Sequence, residues 1–175
     1  KELLRDRGYT VGRLDSRYLG IDSQEGGESP EYNAELISWN HAFSPAMNYY
    51  LRENLNYKTD LKYFMFGPVH PWDRTNDNTG KNLRLAMAQN PFLNVFIQSG
   101  YYDGACDYFN AKYDMWQLDP SGKMKDRLSW KGYESGHMMY LRKPDLQTST
   151  EDLRDFIRRT LLKPEQSARY IEVAR

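Results

Sequence analysis

The sequence predicts an α/β fold in which parallel strands with flanking helices follow a mainly helical segment. The second half of the chain alternates between helical and strand-like patterns, which is the arrangement of α/β domains. Within it, residues 92–100 hold a continuous apolar run, typical of a strand buried on both faces of a parallel sheet. The first half has apolar residues at helical spacing and is arranged as an inserted cap or linker would be.

The first half contains two predicted helical stretches and one aromatic stretch. Residues 1–22 predict a short helix followed by a turn-rich segment. Residues 31–56 predict helix with a break near Ser44-Pro45, where Pro45 begins a second helix and Ser44 is its N-cap. Residues 57–67 are rich in aromatic side chains and predict a strand or an extended edge.

The residue pattern divides the chain into three parts. A helical cap or linker segment occupies 1–57, the α/β core occupies 58–163, and a polar tail occupies 164–175. Turn signals and changes of hydrophobic period delimit the elements of the core. They predict a helix at 81–89 that ends before Asn90-Pro91, a strand within 92–100, a helix at 105–118, a strand within 128–141, and a helix at 148–162 that begins at the capping residue Ser149.

Composition limits the classes of protein and partner that the chain can represent. The 175 residues with 39% hydrophobic content suit one domain or part of a larger one. The 24 basic and 24 acidic residues give a net charge of +0 without a basic run, which disfavours nucleic acid and anionic membranes as partners. No segment approaches the ~20 apolar residues of a membrane span. Cys106 is the single cysteine, so an intrachain disulfide is excluded.

Two polar residues follow the two predicted core strands. Asp103 comes three residues after Gly100, and His137 comes after the next strand. Ligands of open α/β sheets bind outside the carboxyl ends of the strands, so we expect these two side chains to lie within hydrogen-bonding distance. An Asp that orients a His is part of a nucleophilic triad, and acid before histidine is the order of α/β-hydrolases. Gly100 and Gly136 allow tight turns beside the two residues.

Other interpretations of these residues stay open, and the nucleophile is missing. Asp103 after a strand is also a common turn former, because Asp bonds to nearby backbone. The nearest match to the G-x-S-x-G elbow is Ser29, but Glu31 stands where Gly is needed, and Pro30 removes a backbone N–H from the oxyanion position. Cys106 is a nucleophile in principle, although we expect a buried structural thiol at the start of a helix.

These segments resemble the bacterial branch of the serine carboxypeptidase-like family, whose members are α/β-hydrolases with a helical cap. The strongest similarity lies in SGYYDGACDYF (99–109) and YESGHMMY (133–140), which match the family's acid and histidine segments. VGRLDSRYLGID (11–22) and YLRENLNYKTD (50–60) are similar to the segment that links core and cap. Residues 82–103, NLRLAMAQNPFLNVFIQSGYYD, are similar to the segment that precedes the triad acid in the family. The resemblance therefore covers roughly residues 9–160.

The resemblance implies roles for four residues. Asp103 matches the triad acid and His137 matches the triad base. Met138 matches a residue that lines the pocket for the substrate's last side chain. Cys106 matches a cysteine that in some members lies near the acid, and Met138 and Cys106 are the expected substrate-binding residues. Many bacterial relatives have Thr-Pro where this chain has Cys106-Asp107, so Asp107 brings a second negative charge close to the acid.

The resemblance implies the C-terminal part of a hydrolase that releases C-terminal residues from peptides through an acyl-enzyme. The family's Gly-Glu-Ser-Tyr elbow lies N-terminal to the matched segments, so the chain alone is expected to be inactive. Its expected partners are a peptide substrate and the missing N-terminal part of the enzyme. An acyltransferase or esterase on the same fold, and a catalytically inert fragment, are the alternatives.

The resemblance implies no cofactor, and an extracytoplasmic location, periplasmic or secreted, is typical of the family. No metal site is expected, because neither His41 nor His70 has a second ligand residue at helical spacing. The sequence leaves the oligomeric state open, and a homo-oligomer is compatible with it.

Overall fold

The computed structural model divides the chain into two compact units. The described residues are 2–23, 29–65, 67, 70–75 and 78–162. The predicted tail at 164–175 therefore lies outside the described residues. The first break between the units falls after Asp77, whereas the residue pattern predicts a boundary after residue 57. The first unit comprises Lys1–Asp77 and Tyr102–Ala105, and the second comprises Asn78–Tyr101 and Cys106–Arg175.

The first unit begins with a short 3₁₀ helix and a small hairpin. The 3₁₀ helix Glu2–Arg7 is followed by Gly8, whose φ of 72° favours a residue without a side chain. Strands β1 (Thr10–Val11) and β2 (Leu19–Gly20) pair antiparallel. The residues between the two strands form the turn that the sequence predicts in this segment.

The predicted helix of the first unit is present but is not broken at the proline. Helix α1 runs Ala34–Tyr49 and continues as the π-helical turn Tyr50–Asn54. Pro45 lies inside α1, so the predicted break and the predicted N-cap at Ser44 are wrong. Pro45 removes the N–H that would bond to the carbonyl of His41. His41 is exposed, so water can satisfy that carbonyl and the helix tolerates the proline.

The aromatic stretch at 57–67 forms no strand at its described positions, so the predicted strand is wrong there. Strands need a partner for their backbone groups, and the large side chains here are not packed into a sheet face. Tyr57, Leu61 and Phe64 are each more than half exposed.

The second unit contains a small parallel sheet of two strands with flanking helices, which makes the fold mixed α/β. Strands β3 (Val95–Gly100) and β4 (Leu128–Tyr133) pair in parallel, as the sequence predicts. The connection between them contains α3 (Tyr108–Leu118). The prediction that β3 is buried on both faces is wrong, because five of its six residues are half-buried. Among the described residues β3 pairs with β4 alone, so no second strand pairs with its other edge.

Helices cover both faces of this sheet, as the alternation of side chains along a strand requires. On one face, Leu128 packs in a buried cluster that Val95 and Trp130 adjoin. On the other face, Phe96 stacks on Phe156 of α4 (Lys143–Thr160), with ring centroids 5.0 Å apart. The buried members of the cluster are Met87, Leu118, Met124 and Leu128.

Helix α2 (Thr79–Gln89) contributes Met87 to the buried cluster and ends as predicted before Asn90-Pro91. Arg127 caps its C-terminal end, because the Nη1 atom donates to the carbonyl oxygens of Met87 and Asn90, each at 2.9 Å. A guanidinium at the end of a helix satisfies carbonyls that have no partner within the helix and interacts favourably with the helix dipole.

Three helices of the second unit begin at other residues than predicted, and α2 begins two residues earlier, at Thr79. Helix α3 begins three residues later, at Tyr108. Helix α4 begins at Lys143, so the predicted start at Ser149 is wrong. Pro144 lies in the first turn, where a missing N–H costs nothing. Ser149 instead donates its hydroxyl to the carbonyl of Leu146 within the helix, at 3.2 Å.

Candidate catalytic site

The carboxyl ends of β3 and β4 lie side by side. Gly100 and Tyr133 are register partners at the last position of the ladder. The next backbone N–H, of Tyr101, donates to the carbonyl oxygen of Tyr133 at 2.9 Å. The two segments that carry the predicted site residues therefore leave the sheet next to each other, Asp103 three residues after β3 and His137 four residues after β4.

Gly100 is in close contact with the backbone that precedes His137. A Cβ atom at Gly100 would lie 2.2 Å from the carbonyl oxygen of Gly136 and 2.3 Å from that of Ser135. Both distances are far below van der Waals contact, so only glycine permits this approach. The close approach puts the start of the Asp103 segment directly against the residues that lead into His137.

Asp103 is buried in a turn that its own side chain stabilises. The residue is 7% exposed, and its Oδ1 atom accepts the N–H of Ala105 at 2.8 Å. Its two flanking residues are held as well. The N–H of Ser16 donates to the carbonyl oxygen of Tyr102, and the N–H of Gly104 donates to that of Arg13, each at 2.9 Å. The turn-forming role expected of an Asp after a strand is therefore confirmed.

His137 is exposed in the loop between β4 and the 3₁₀ helix Met139–Leu141. The end of this loop is fixed by Arg142, which pairs with Asp145 at 2.6 Å and with Glu134 at 3.1 Å. The imidazole is thus accessible at the surface, while the backbone on both sides of it is anchored.

Cys106 is exposed, so the prediction of a buried thiol is wrong. The reason is that α3 begins only at Tyr108, which leaves Cys106 in the loop before the helix. Its Sγ atom and a ring nitrogen of His137 lie within 4.8 Å of each other. A thiol beside an imidazole is a nucleophile–base arrangement, and both atoms are also ligands that zinc accepts.

The remaining predicted residues differ in how they are placed. Met138 is half-buried next to His137. Ser29 is exposed in a loop, and the preceding Gly27-Glu28 of the rejected elbow lies outside the described residues. Ser135 is 1% exposed, and its hydroxyl has no hydrogen-bond partner among the described residues.

A hydrogen-bonded network behind the site was not predictable from the motif. The Nε2 atom of Gln98 donates to the Tyr133 hydroxyl at 2.9 Å, and that hydroxyl donates to Oδ2 of Asp152 at 2.9 Å. Lys131 pairs with the same carboxylate at 3.2 Å. Burial, with the nearby Asp152 carboxylate, raises the pKa of Tyr133 to about 12. The network ties β3, β4 and α4 together at the end of the sheet where the candidate residues emerge.

Comparison with known proteins gives no match to a family model, a curated protein or a solved structure. The function is therefore inferred from the chemistry of these residues and from the resemblance of their motifs. Among the described residues, no helix has both the length and the apolar character to cross a membrane.

Proposed function

We propose that this chain is the C-terminal part of a serine carboxypeptidase-like α/β-hydrolase, in which His137 is the general base and Asp103 orients it. The observation that carries the proposal is the contact of Gly100 with the backbone of Ser135-Gly136. Together with the parallel register of β3 and β4, it starts both segments at one edge of the sheet, where α/β folds bind ligands.

The proposed chemistry needs a serine from a segment that precedes this chain. His137 removes the proton of the serine hydroxyl while the serine oxygen attacks the carbonyl carbon of the last peptide bond. The imidazolium then gives that proton to the leaving amine as the carbon–nitrogen bond breaks. Water repeats the sequence, with His137 again as base, and releases the acyl group from the serine.

The burial of Asp103 and the exposure of His137 suit these two roles. A buried carboxylate held in a fixed turn is preorganised to orient an imidazole and to stabilise its positive charge. An accessible imidazole can reach a substrate and a serine from another segment. Met138, adjacent to His137, is proposed to line the pocket for the leaving residue, and the family resemblance supports an extracytoplasmic location.

The test is fluorophosphonate labelling of the complete protein, followed by peptide mapping. We expect the label on a serine outside these 175 residues and no turnover in His137→Ala. Label on Ser29, or full activity in His137→Ala, would contradict the proposal. Turnover of ester but not peptide substrates by the wild type would favour an esterase or acyltransferase on the same triad.

A further inference from the structure

The segment that carries Asp103 is clamped by the turn of the N-terminal hairpin. One hydrogen bond holds each side of Asp103: Ser16 N–H to the Tyr102 carbonyl, and Gly104 N–H to the Arg13 carbonyl. Two backbone bonds that flank a single residue fix both its position and its direction. The position of the proposed triad acid therefore depends on the geometry of the turn at residues 12–18.

The fully buried carboxylate of Glu35 holds that turn through a hydrogen bond to its backbone. Glu35 lies in the first turn of α1, is 0% exposed, and accepts the N–H of Leu14 on its Oε1 atom at 2.7 Å. Leu14 is the residue next to Arg13, whose carbonyl binds the Asp103 segment. The other carboxylate oxygen, Oε2, has no hydrogen-bond partner among the described residues.

Gly12 lets the Glu35 carboxylate approach the turn this closely. A Cβ atom at Gly12 would lie 2.4 Å from Oε2 of Glu35 and 2.5 Å from the carbonyl oxygen of Asp15. Burying a carboxylate with one unpartnered oxygen is costly, and an apolar side chain of similar volume would avoid that cost. A carboxylate at this position is explained, despite the free-energy cost of its burial, if it sets the position of the turn.

A second anchor acts on the same turn. The carboxylate of Asp15 accepts three hydrogen bonds from Arg17: from Nε at 2.9 Å, from Nη2 at 2.6 Å and from the backbone N–H at 3.1 Å. The Arg17 guanidinium in turn lies over the ring of Tyr102, 5.0 Å from its centroid. Asp15 and Arg17 thus bind the same segment through Tyr102, and Glu35 fixes the opposite end of the turn through Leu14.

We infer that Glu35 is a positioning residue for Asp103, acting through the Leu14 N–H and the Arg13 carbonyl. Glu35 is 0% exposed, and the inference rests on the proposed function of Asp103. Removing the acceptor while keeping the volume lets the turn shift, and the Asp103 segment shifts with it. A misplacement of about 1 Å in a catalytic constellation costs about 100-fold in rate.

The experiment compares Glu35→Met and Glu35→Gln in the complete enzyme. Glu35→Met removes the acceptor, so we expect kcat per titrated active site to fall about 100-fold with KM within about twofold. Glu35→Gln keeps an acceptor oxygen for Leu14, so we expect it to restore kcat to within about threefold of the wild type. Met87→Ala, which opens a cavity in the core of the second unit, controls for loss of stability and should leave kcat per active site unchanged.

A second variant keeps the inference testable if Glu35→Met does not fold. Gly12→Ala introduces the Cβ that meets Oε2 of Glu35, and we expect the same selective loss of kcat. Unchanged kcat in Glu35→Met, or in Gly12→Ala where Glu35→Met does not fold, while Asp103→Asn is inactive, would overturn the role of Glu35 alone. Full activity in Asp103→Asn would instead overturn the proposed function.

Discussion

Gly100 packs against Gly136 so closely that a Cβ atom on Gly100 would lie 2.2 Å from the Gly136 carbonyl oxygen. The contact joins the end of β3 to the loop that carries His137. A larger side chain at position 100 would collide with the backbone carbonyl oxygens of Ser135 and Gly136. These backbone atoms cannot rotate away as the end of a flexible side chain can. Backbone packing therefore fixes the loop that carries His137 against the end of β3.

We predict that Gly100→Ala destabilises the protein by about 1–3 kcal/mol, because the added methyl forces the two segments apart. Thermal unfolding of the variant and the wild type measures the change. Gly80→Ala is the matched control, because a Cβ at Gly80 in α2 meets nothing within 4 Å. A helical Gly→Ala change should leave stability equal or raise it by up to about 1 kcal/mol. Equal melting temperatures for Gly100→Ala and the wild type would contradict the close contact.

If Asp103 is the proposed triad acid, we predict that Asp103→Asn in the complete protein lowers kcat by about 10⁴-fold, because an amide cannot stabilise the imidazolium of the proposed base His137. Steady-state kinetics on a peptide substrate measures the loss. Asp107→Asn removes an exposed carboxylate four residues further on and should change kcat by less than about threefold. Comparable losses in the two variants would show a general charge effect and would argue against a specific role for Asp103.

The sequence predicts the two strands of the second unit and their parallel pairing correctly. The apolar run before Gly100 and the alternation of helical and strand-like patterns carry that signal. The start of α4 and the course of α1 differ from the prediction for local reasons: Pro144 fits the first turn of α4, and exposure near Pro45 lets α1 continue. The sequence does not predict the role of Glu35 either. A Glu in the first turn of a helix is ordinarily explained by its favourable interaction with the helix dipole at the protein surface.

We predict that Tyr133 makes the protein lose stability between about pH 10 and pH 12. The pKa of Tyr133 is raised to about 12, against a usual value of about 10. Below pH 10 the phenol is protonated in both states, and its contribution is fully present. Between the two values the unfolded chain releases the proton while the native state keeps it, so stability falls as pH rises.

Urea unfolding at intervals from pH 8 to pH 12 tests this, with Tyr133→Phe as the comparison. The difference in unfolding free energy between the wild type and Tyr133→Phe should be constant up to about pH 10 and then shrink. Phe109→Leu, at an exposed position of α3, removes no titrating group and is the control, so its difference from the wild type should stay constant over this pH range. A constant difference for Tyr133→Phe over the whole range would contradict the raised pKa.

We predict that the isolated chain binds the dye ANS, because helices of the second unit expose apolar faces. On α4, Leu146, Leu153 and Ile157 share one face and are each more than 40% exposed. If the missing part of a larger hydrolase covers this face, the complete protein should bind less dye than this chain alone. Ile157→Lys should reduce the fluorescence of the isolated chain, whereas Gln147→Lys adds the same charge at a polar exposed position and should not. Equal and low fluorescence for all of these proteins would argue against a covering partner.

We predict that Cys106 reacts with the thiol reagent DTNB in the native state, at one thiol per chain, because the side chain is exposed in the loop before α3. Its Sγ atom lies within 4.8 Å of a ring nitrogen of His137, so a bulky adduct at this position should block turnover of the complete enzyme by obstructing the imidazole. Cys106→Ser removes the thiol and should retain turnover and become insensitive to the reagent, because the proposed nucleophile is a serine. Loss of activity in Cys106→Ser, together with loss of covalent labelling by iodoacetamide, would identify the thiol as the nucleophile and replace the serine mechanism.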